Sequence, residues 1–346
     1  MVAQGAQAGP RDLPDERLTQ AVIASFESSA SPRLREVMQS LVRHLHAFVG
    51  EVEPTHEEWA TAIDFLTRTG HITDDKRQEF ILLSDVLGVS MLVVGINHRR
   101  ARGATEPGEA VEVAGAPTGR RPTGGTEATV FGPFYVEGAP WYDNGDDLAN
   151  GAPGEPCFVS GRVLSVAGEP IPGAQVDVWQ ADKDGFYDVQ YQGLDQARGR
   201  GRLRTDAEGR YWFWSVKPEP YPIPDDGPVG DLLKAANRSP MRPAHVHFMV
   251  SAPGCQTVIT HVFAEGDPYL DSDAVFGVKD SLIAPFVRHE PGTAPDGKQV
   301  DEPFYTMGYD FVLAPAADAG GAKRPGGDAP GRRVTPGGRR VRPRPA

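Results

Sequence analysis

Cysteine is scarce in this sequence: Cys157 and Cys255 are its only two, and they lie far apart along the chain. Their number and spacing exclude a disulfide-built scaffold and a zinc site of the CxxC type. They also favour a reducing compartment, so the sequence predicts a cytoplasmic protein. No hydrophobic run approaches the roughly 20 residues that cross a membrane, and the first residues lack an apolar signal core. We therefore expect no membrane partner and no secretion.

Basic residues are too few for a protein whose main partner is a nucleic acid. The chain has 35 Lys and Arg against 47 Asp and Glu, a formal net charge of −12. Phosphate contacts need clustered lysines and arginines, which the acidic body of the chain lacks. Residues 314–346 alone are basic and of low complexity. We expect a disordered tail there, with transient binding to acidic partners as the alternative.

The chain falls into five regions, and together they predict a mainly β protein with an N-terminal helical domain. We expect residues 1–14 to be a disordered leader and residues 15–100 to form four amphipathic helices. Residues 101–127, rich in Gly, Pro, Thr and Ala, predict an exposed loop or insertion. Residues 128–313 show short alternating strands with Gly, Pro and Asp between them, which predict a β-sandwich core. The basic tail follows.

Two of the helices begin at specific capping signals. Ser31 is the expected N-cap of one helix, since proline follows it at the first helical position. Thr55 and Glu58 have the spacing of a capping box, and Gly70 predicts the end of that helix. The same logic predicts a single fourth helix from Thr73.

His245 and His247 are the strongest chemical signal in the sequence. Residues two apart on a strand point to one face, so these imidazoles lie side by side while Val246 and Phe248 face a core. Such a pair is half of a metal site, and two hydrogen-bonded structural histidines are the alternative. His261, in the next strand, or a carboxylate could complete the site. Spacing alone leaves open zinc with three histidines, ferrous iron with two histidines and a carboxylate, or another set.

Tyrosine is a further candidate ligand, because a nearby cation favours its phenolate form. Tyr187 follows a predicted strand just past a glycine turn. Tyr221 lies between prolines that fix the backbone. On the residues alone, a core or rim tyrosine is the alternative for each.

Several segments, taken in order, resemble the intradiol ring-cleaving dioxygenases, a family of catechol, chlorocatechol and hydroxyquinol dioxygenases. They are VSGRVLSVAGEPIPGAQVDVWQADKDGFYD, RGRLRTDAEGRYWFWSVKPEPYPIPDDGPVGDLL, RPAHVHFMVSAPG and EGDPY. The resemblance covers about residues 15–313 and leaves out 101–127 and the tail. Within the family, QEFILLSDVLGVSM, TVFGPFYVEGAPW and YPIPDDGPVGDLL are most similar to hydroxyquinol 1,2-dioxygenases.

The resemblance implies a reaction, its substrates and an assembly. Hydroxyquinol (1,2,4-trihydroxybenzene) would be cleaved with O2 between its adjacent hydroxylated carbons, giving 3-hydroxy-cis,cis-muconate and then maleylacetate. Catechol or a chlorocatechol is the alternative substrate. The sandwich would be the catalytic domain, and the N-terminal helices would build a homodimer. The family's helical interface can also hold a lipid, so a lipid in the dimer interface is a further expectation.

The resemblance also supplies a ligand set for iron. One ferric ion per subunit would be held by Tyr187 and His245 in equatorial positions and by Tyr221 and His247 in axial positions. Tyr221 would in addition act as a base for the substrate's hydroxyl protons.

The remaining site residues follow from the same motifs. Arg242 matches the family's active-site arginine and would stabilise negative charge on the substrate, with a structural salt bridge as the alternative. His261 stands where many catechol-cleaving members have glutamine, and we expect it beside the substrate. The other expected substrate contacts are Leu82, Asp85, Val130, Phe131, Gly132, Pro133, Phe134, Ile223 and Pro224.

Asp85 is the residue expected to select hydroxyquinol. It lies in an otherwise apolar helical stretch and shares a helix face with Leu82, three positions before it. If this helix forms one wall of the substrate site, Asp85 accepts a hydrogen bond from the third hydroxyl while Leu82 packs on the ring. A solvent-facing carboxylate, or an ion pair with Lys76 or Arg77, is the alternative.

Two functions of other classes compete with this interpretation. Transthyretin-like and carboxypeptidase-regulatory-like binding modules share patterns such as SGRVLSVAGEPIPGAQVDVW and TDAEGRYWF, but they lack the RPAHVH and PYPIP motifs. A zinc or ferrous hydrolase or oxygenase could instead use His245, His247 and His261.

Overall fold

The computed structural model describes residues 15–74, 77–101, 110–112, 120–122, 124–194 and 196–316. The chain divides into two compact units: the first runs to Leu83 and includes Pro224–Ser239, and the second holds the rest. The predicted leader, 1–14, and most of the predicted tail lie outside the described residues. The first residues of the tail are ordered, because the Ala316 N–H donates to the Gly254 carbonyl.

Helices fill most of the described chain up to residue 101. The helices are α1 (Asp15–Ser25), α2 (Pro32–Val52), α3 (His56–Ile72), α4 (Glu79–Val86), α5 (Val89–Ala101) and α6 (Pro228–Ala235). The two predicted caps are confirmed: the Ser31 side chain accepts from the Leu34 N–H, and Thr55 and Glu58 form a capping box.

The predicted fourth helix was wrong in its start and its continuity. Thr73 ends α3 instead of beginning a helix, since its N–H donates to the Gly70 carbonyl. The chain then forms two helices, because it leaves the helical conformation around Gly88, whose φ is +71°. α4 and α5 meet at 76°. No single described helix is long and apolar enough to cross a membrane. The bent pair of α4 and α5 reaches that length and composition only when its two members are taken together.

The helices of the first unit leave apolar side chains exposed in a regular pattern. We call this surface the apolar face; its members on α2 and α3 are Leu34, Leu41, Leu45, Phe48, Val52, Trp59, Ile63 and Leu66. Within each helix they recur every three, four or seven positions, so they share one side. Phe48 is 56% exposed and Trp59 60%. Apolar patches of this kind mark interaction surfaces.

The second unit is built mainly from strands. They are β1 (Ala110–Glu112), β2 (Arg120–Pro122), β3 (Pro156–Ser165), β4 (Gln175–Trp179), β5 (Arg200–Arg204), β6 (Arg210–Val216), β7 (Tyr221–Pro222), β8 (Met241–Arg242), β9 (His245–Ser251), β10 (Val258–Ala264), β11 (Ile283–Ala284), β12 (Phe286–His289), β13 (Gly292–Thr293), β14 (Gln299–Val300), β15 (Phe304–Gly308) and β16 (Phe311–Leu313). The pair β1–β2 lies within the predicted loop 101–127.

Two five-stranded mixed sheets form the sandwich, which confirms the predicted fold class. One has the order β11-β10-β9-β4-β5; in the other, β12-β15-β3-β16 is joined by β6, which pairs with β3. Val159 and Phe213 from one sheet and Val176 and Phe248 from the other belong to a single buried core. Cys157 is part of this core, and burial raises the pKa of its thiol to about 12.

Gly161 predicts a stability effect at the centre of β3. The Tyr211 hydroxyl donates to the Tyr309 carbonyl at 2.7 Å, and a Cβ on Gly161 would overlap that carbonyl oxygen. We expect Gly161→Ala to lower the free energy of unfolding by roughly 1–3 kcal/mol, the usual cost of overpacking. Urea denaturation followed by circular dichroism measures it.

Gly50→Ala is the matched control. A Cβ at Gly50, in exposed helix α2, meets no atom within 4 Å. It should therefore raise stability by roughly 0.5–1 kcal/mol, since alanine favours the helix. A Gly161→Ala protein as stable as the parent would contradict the packing argument.

Candidate metal centre

The candidate site lies on one face of β9, the central strand of its sheet. Val246 and Phe248 point into the sandwich core. His245 and His247 alternate with them and therefore face the other side, as the spacing predicts. Both histidines are 1% exposed, so this second face is closed to water as well.

Four polar atoms form a closed ring above that face. The Tyr187 hydroxyl lies 2.9 Å from the Tyr221 hydroxyl and 2.9 Å from Nε2 of His247. Nε2 of His245 lies 3.2 Å from Nε2 of His247 and 3.4 Å from the Tyr221 hydroxyl. All four side chains are buried. Two phenol oxygens and two imidazole nitrogens this close together are a plausible donor set for a transition-metal cation.

The loop after β4 brings Tyr187 to this point. Gly185 has φ +81°, and its missing side chain lets the loop lie directly against Tyr221. Asp188, which follows Tyr187, forms a buried ion pair with Arg200, with the nearest atoms 2.5 Å apart. The residue next to the tyrosine is thus tied to β5, which restricts the tyrosine's own position.

Arg242 sits between the ring and a buried carboxylate. It lies opposite Tyr221 in the β7–β8 pair. Its Nε and Nη2 donate to the two carboxylate oxygens of Asp273 at 3.0 and 3.3 Å, while Nη1 lies 3.3 Å from Nε2 of His245. Burial alone would raise the pKa of Asp273, but the charge and hydrogen bonds of Arg242 hold it below its usual value. The salt bridge considered as the alternative role is therefore present, and the same guanidinium also faces the site.

The protonation states of the ring members suit a cation. Burial, aided by the charge of Arg242, lowers the pKa of His245 to about 3, and burial also lowers the pKa of His247 well below its ordinary value. Neutral imidazole is the form that binds metals. Nδ1 of His245 donates to the Pro243 carbonyl at 2.6 Å, which leaves the lone pair on Nε2. Burial raises the pKa of Tyr187 and Tyr221, and a bound cation would favour their phenolate forms.

His261 lies beside the ring rather than in it. It is opposite His247 in the β9–β10 register, with ring centroids 4.1 Å apart. Its Nδ1 is 2.5 Å from the Thr129 hydroxyl, and among the described residues its Nε2 has no hydrogen-bond partner. His245, His247 and His261 could form a three-histidine set, with ligand atoms within 4.8 Å of one another. The set with two tyrosines has neighbouring donor atoms 2.9–3.4 Å apart.

The segment 130–134, with the sequence VFGPF, covers the ring; we call it the aromatic segment. Gly132 has φ +75°, and a Cβ there would lie 3.0 Å from Cε1 of His247. Phe134 stacks on Tyr187, with centroids 4.5 Å apart. Phe131 contacts Trp179, which stacks on His247 at 4.8 Å. Val130 is buried and Pro133 exposed.

Asp85 is buried, which excludes the solvent-facing alternative. It is 3% exposed, and among the described residues its Oδ1 has no hydrogen-bond partner. Arg77 pairs with Glu79 and Asp226, and Lys76 lies outside the described residues. Burial raises the pKa of Asp85, while the Ser90 hydroxyl and the charge of Arg242 work in the opposite direction.

The other expected contacts lie near these elements in the sequence. Leu82 is buried in α4, and Ile223 is buried directly after β7, with Pro224 half-buried behind it. Three residues that frame the site were not predicted: Trp179, Thr129 and Asp273. Trp179 ends the strand that pairs with β9, opposite His247, and this position is the one signal that could have indicated it.

Comparisons with known proteins match both parts of the chain. Residues 130–315 match a family model described as Dioxygenase, and residues 31–105 match one described as Catechol dioxygenase N terminus. A hydroxyquinol 1,2-dioxygenase of Rhodococcus opacus is 52% identical over 304 residues, covering 87% of this chain and 94% of that protein. A 6-chlorohydroxyquinol 1,2-dioxygenase of Cupriavidus pinatubonensis is 52% identical over 305 residues, covering 88% and 99%. The solved hydroxyquinol 1,2-dioxygenase from Pseudomonas putida DLL-E4 superposes with a TM-score of 0.76 at 46% identity, covering 87% and 98%.

Proposed function

The chain belongs to the intradiol ring-cleavage dioxygenases, and we propose that it cleaves hydroxyquinol with O2 between the two adjacent hydroxylated carbons. The closed ring of Tyr187, Tyr221, His245 and His247 carries the proposal. The product would be 3-hydroxy-cis,cis-muconate, which tautomerises to maleylacetate. A transthyretin-like binding module is disfavoured, because both family models match this chain.

We propose that these four side chains hold one ferric ion per subunit, as befits a family that uses iron. Two phenolates offset part of the charge of a trivalent cation, which lowers the cost of burying it. The neutral imidazoles add no further charge. An iron ion held there would supply a binding position for the deprotonated diol and would activate its ring toward O2.

The protein's own residues would move the protons and place the charge. We propose that the Tyr221 oxygen accepts a proton from a substrate hydroxyl, since it is one of the two phenol oxygens of the ring and lies opposite Arg242 in the β7–β8 pair. Nη1 of Arg242 faces the same region because Asp273 occupies the other nitrogens of the fork. It would stabilise negative charge that develops on the substrate.

Asp85 supports hydroxyquinol as the substrate rather than catechol. Its Oδ1 is a buried acceptor without a partner among the described residues. A third substrate hydroxyl would satisfy it, whereas catechol would leave it unpaired. Sites built around a buried polar group discriminate strongly against a substrate that lacks the matching group.

Replacing the ring members tests the metal assignment. Tyr187→Phe and Tyr221→Phe should each change the visible tyrosinate-to-iron absorption band, because each removes one phenolate. Tyr221→Phe should also lower activity while iron is retained. His245→Ala and His247→Ala should lose iron, measured by elemental analysis. Tyr305→Phe, on the other sheet, is the control and should keep both the band and the iron. Ring variants with the parent spectrum, iron content and turnover would overturn the assignment.

Replacing Asp85 tests the substrate. Asp85→Leu should lower kcat/KM for hydroxyquinol by a factor equivalent to about 1–3 kcal/mol of activation free energy, the cost of an unmade buried hydrogen bond. It should leave catechol turnover unchanged or improved. Asp85→Asn keeps an oxygen acceptor and should retain part of the preference. Steady-state kinetics with both substrates measure the ratio, and an Asp85→Leu enzyme with the parent's ratio would contradict the role.

We also propose that the apolar face forms a homodimer interface, in which a lipid chain can be held. Phe48→Glu should give a monomer by light scattering, because it places a charge within the buried contact. Glu51→Gln, at an exposed position of the same helix, should remain dimeric. A dimeric Phe48→Glu protein would argue for a different interface. Mass spectrometry of an organic extract tests for the lipid.

A further inference from the structure

We propose that His261 is a positioning residue that acts through Thr129: their hydrogen bond holds the aromatic segment over the catalytic ring and so controls how tightly substrate binds. The part about substrate rests on the function proposed above. The part about the segment rests on contacts within the second unit alone.

Thr129 is attached to strand β10 at two points, through its side chain and through its backbone. The Thr129 hydroxyl lies 2.5 Å from Nδ1 of His261, and the Thr129 N–H donates to the Ile259 carbonyl at 2.9 Å. Both side chains are closed to water. Thr129, the residue directly before the aromatic segment, is thus joined to His261, which lies 132 positions later in the chain. Losing one partner would leave the other buried and unsatisfied.

The aromatic segment depends on this attachment because it otherwise packs without hydrogen bonds. Among the residues that the structure describes, no hydrogen bond is made by residues 130–134. Its contacts are apolar and steric: Gly132 over His247 and Phe134 on Tyr187. Stacking alone restrains sliding weakly, so the fixed point lies at Thr129.

His261 is also well placed to transmit a shift. It is opposite His247 across the β9–β10 pair, and the same strand supplies Ile259, the second attachment of Thr129. A change at His261 therefore displaces the start of the aromatic segment relative to the histidine that Gly132 covers. The expected effect is on substrate binding more than on the chemical step.

Amide exchange in the full-length, iron-loaded protein tests the attachment without any assay of activity. Thr129→Val removes the hydroxyl at nearly constant volume, and exchange of the amide at position 129, which donates to the Ile259 carbonyl at 2.9 Å, should become faster by on the order of tenfold. Thr129→Ser keeps the hydroxyl and should retain the protection. His261→Leu should reproduce Thr129→Val, and the double variant should add little, because both break one bond.

Kinetics of the iron-loaded enzyme test the consequence. Thr129→Val should raise KM for hydroxyquinol severalfold with a smaller change in kcat. Thr306→Val is the matched control, since it removes another threonine–histidine bond, to His289 on the other sheet. It should lower stability but leave KM unchanged.

The outcomes separate the two proposals. If the parent does not cleave hydroxyquinol but Thr129→Val exchanges faster than the parent, the proposed function is refuted and the attachment stands. If the parent cleaves hydroxyquinol but Thr129→Val has the same exchange rate and KM as the parent, the attachment is overturned. So would a change confined to His261→Leu, because His261 would then act through its own ring.

Discussion

The site depends on one strand that is buried on both faces. β9 directs Val246 and Phe248 into the sandwich core and places His245 and His247 in the ring of polar atoms on its other face. Its neighbours are aligned with it residue by residue, so that Trp179 and His261 both lie opposite His247. A slip of one residue would exchange the two faces, placing imidazoles in the core and valine in the site. Hydrophobic packing on one side therefore fixes the polar geometry on the other.

A second constraint is the buried charge next to the ring. A guanidinium inside a protein is costly unless it is paired and hydrogen-bonded. Asp273 meets that need for Arg242, and it is itself held by the backbone N–H groups of Val275 and Gly277. Two arms of the fork are thereby committed to structure and one is left for the site. The salt bridge and the approach of the third nitrogen to His245 are thus parts of one arrangement.

Local periodicity was sufficient for some features of the fold and the site. The spacing of His245 and His247 defines a shared face on any strand, and the caps at Ser31 and Thr55 are short-range hydrogen-bond patterns. The break at Gly88 was missed because the apolar pattern continues across it, and one backbone angle decides the outcome.

Contacts between distant residues were beyond such reasoning. Tyr187 and Tyr221 lie on different elements, and only the family resemblance indicated that they meet. Nothing in the sequence around Thr129 points to His261, since the contact exists only after β10 has paired with β9. The partner of Arg242, Asp273, lies in a loop without any periodic pattern. The burial of Asp85 likewise depends on tertiary packing that helical spacing does not encode.

Cys157 has a consequence for a member of the intradiol dioxygenases. Thiol oxidation and thiolate coordination both proceed through the deprotonated sulfur. With a pKa of about 12 and a place inside the core, this sulfur is protonated at any physiological pH. It is therefore a poor nucleophile toward oxidants and a poor ligand for metal ions. Burial in the sandwich core therefore keeps the Cys157 thiol unreactive, so oxidation should occur first at more exposed side chains.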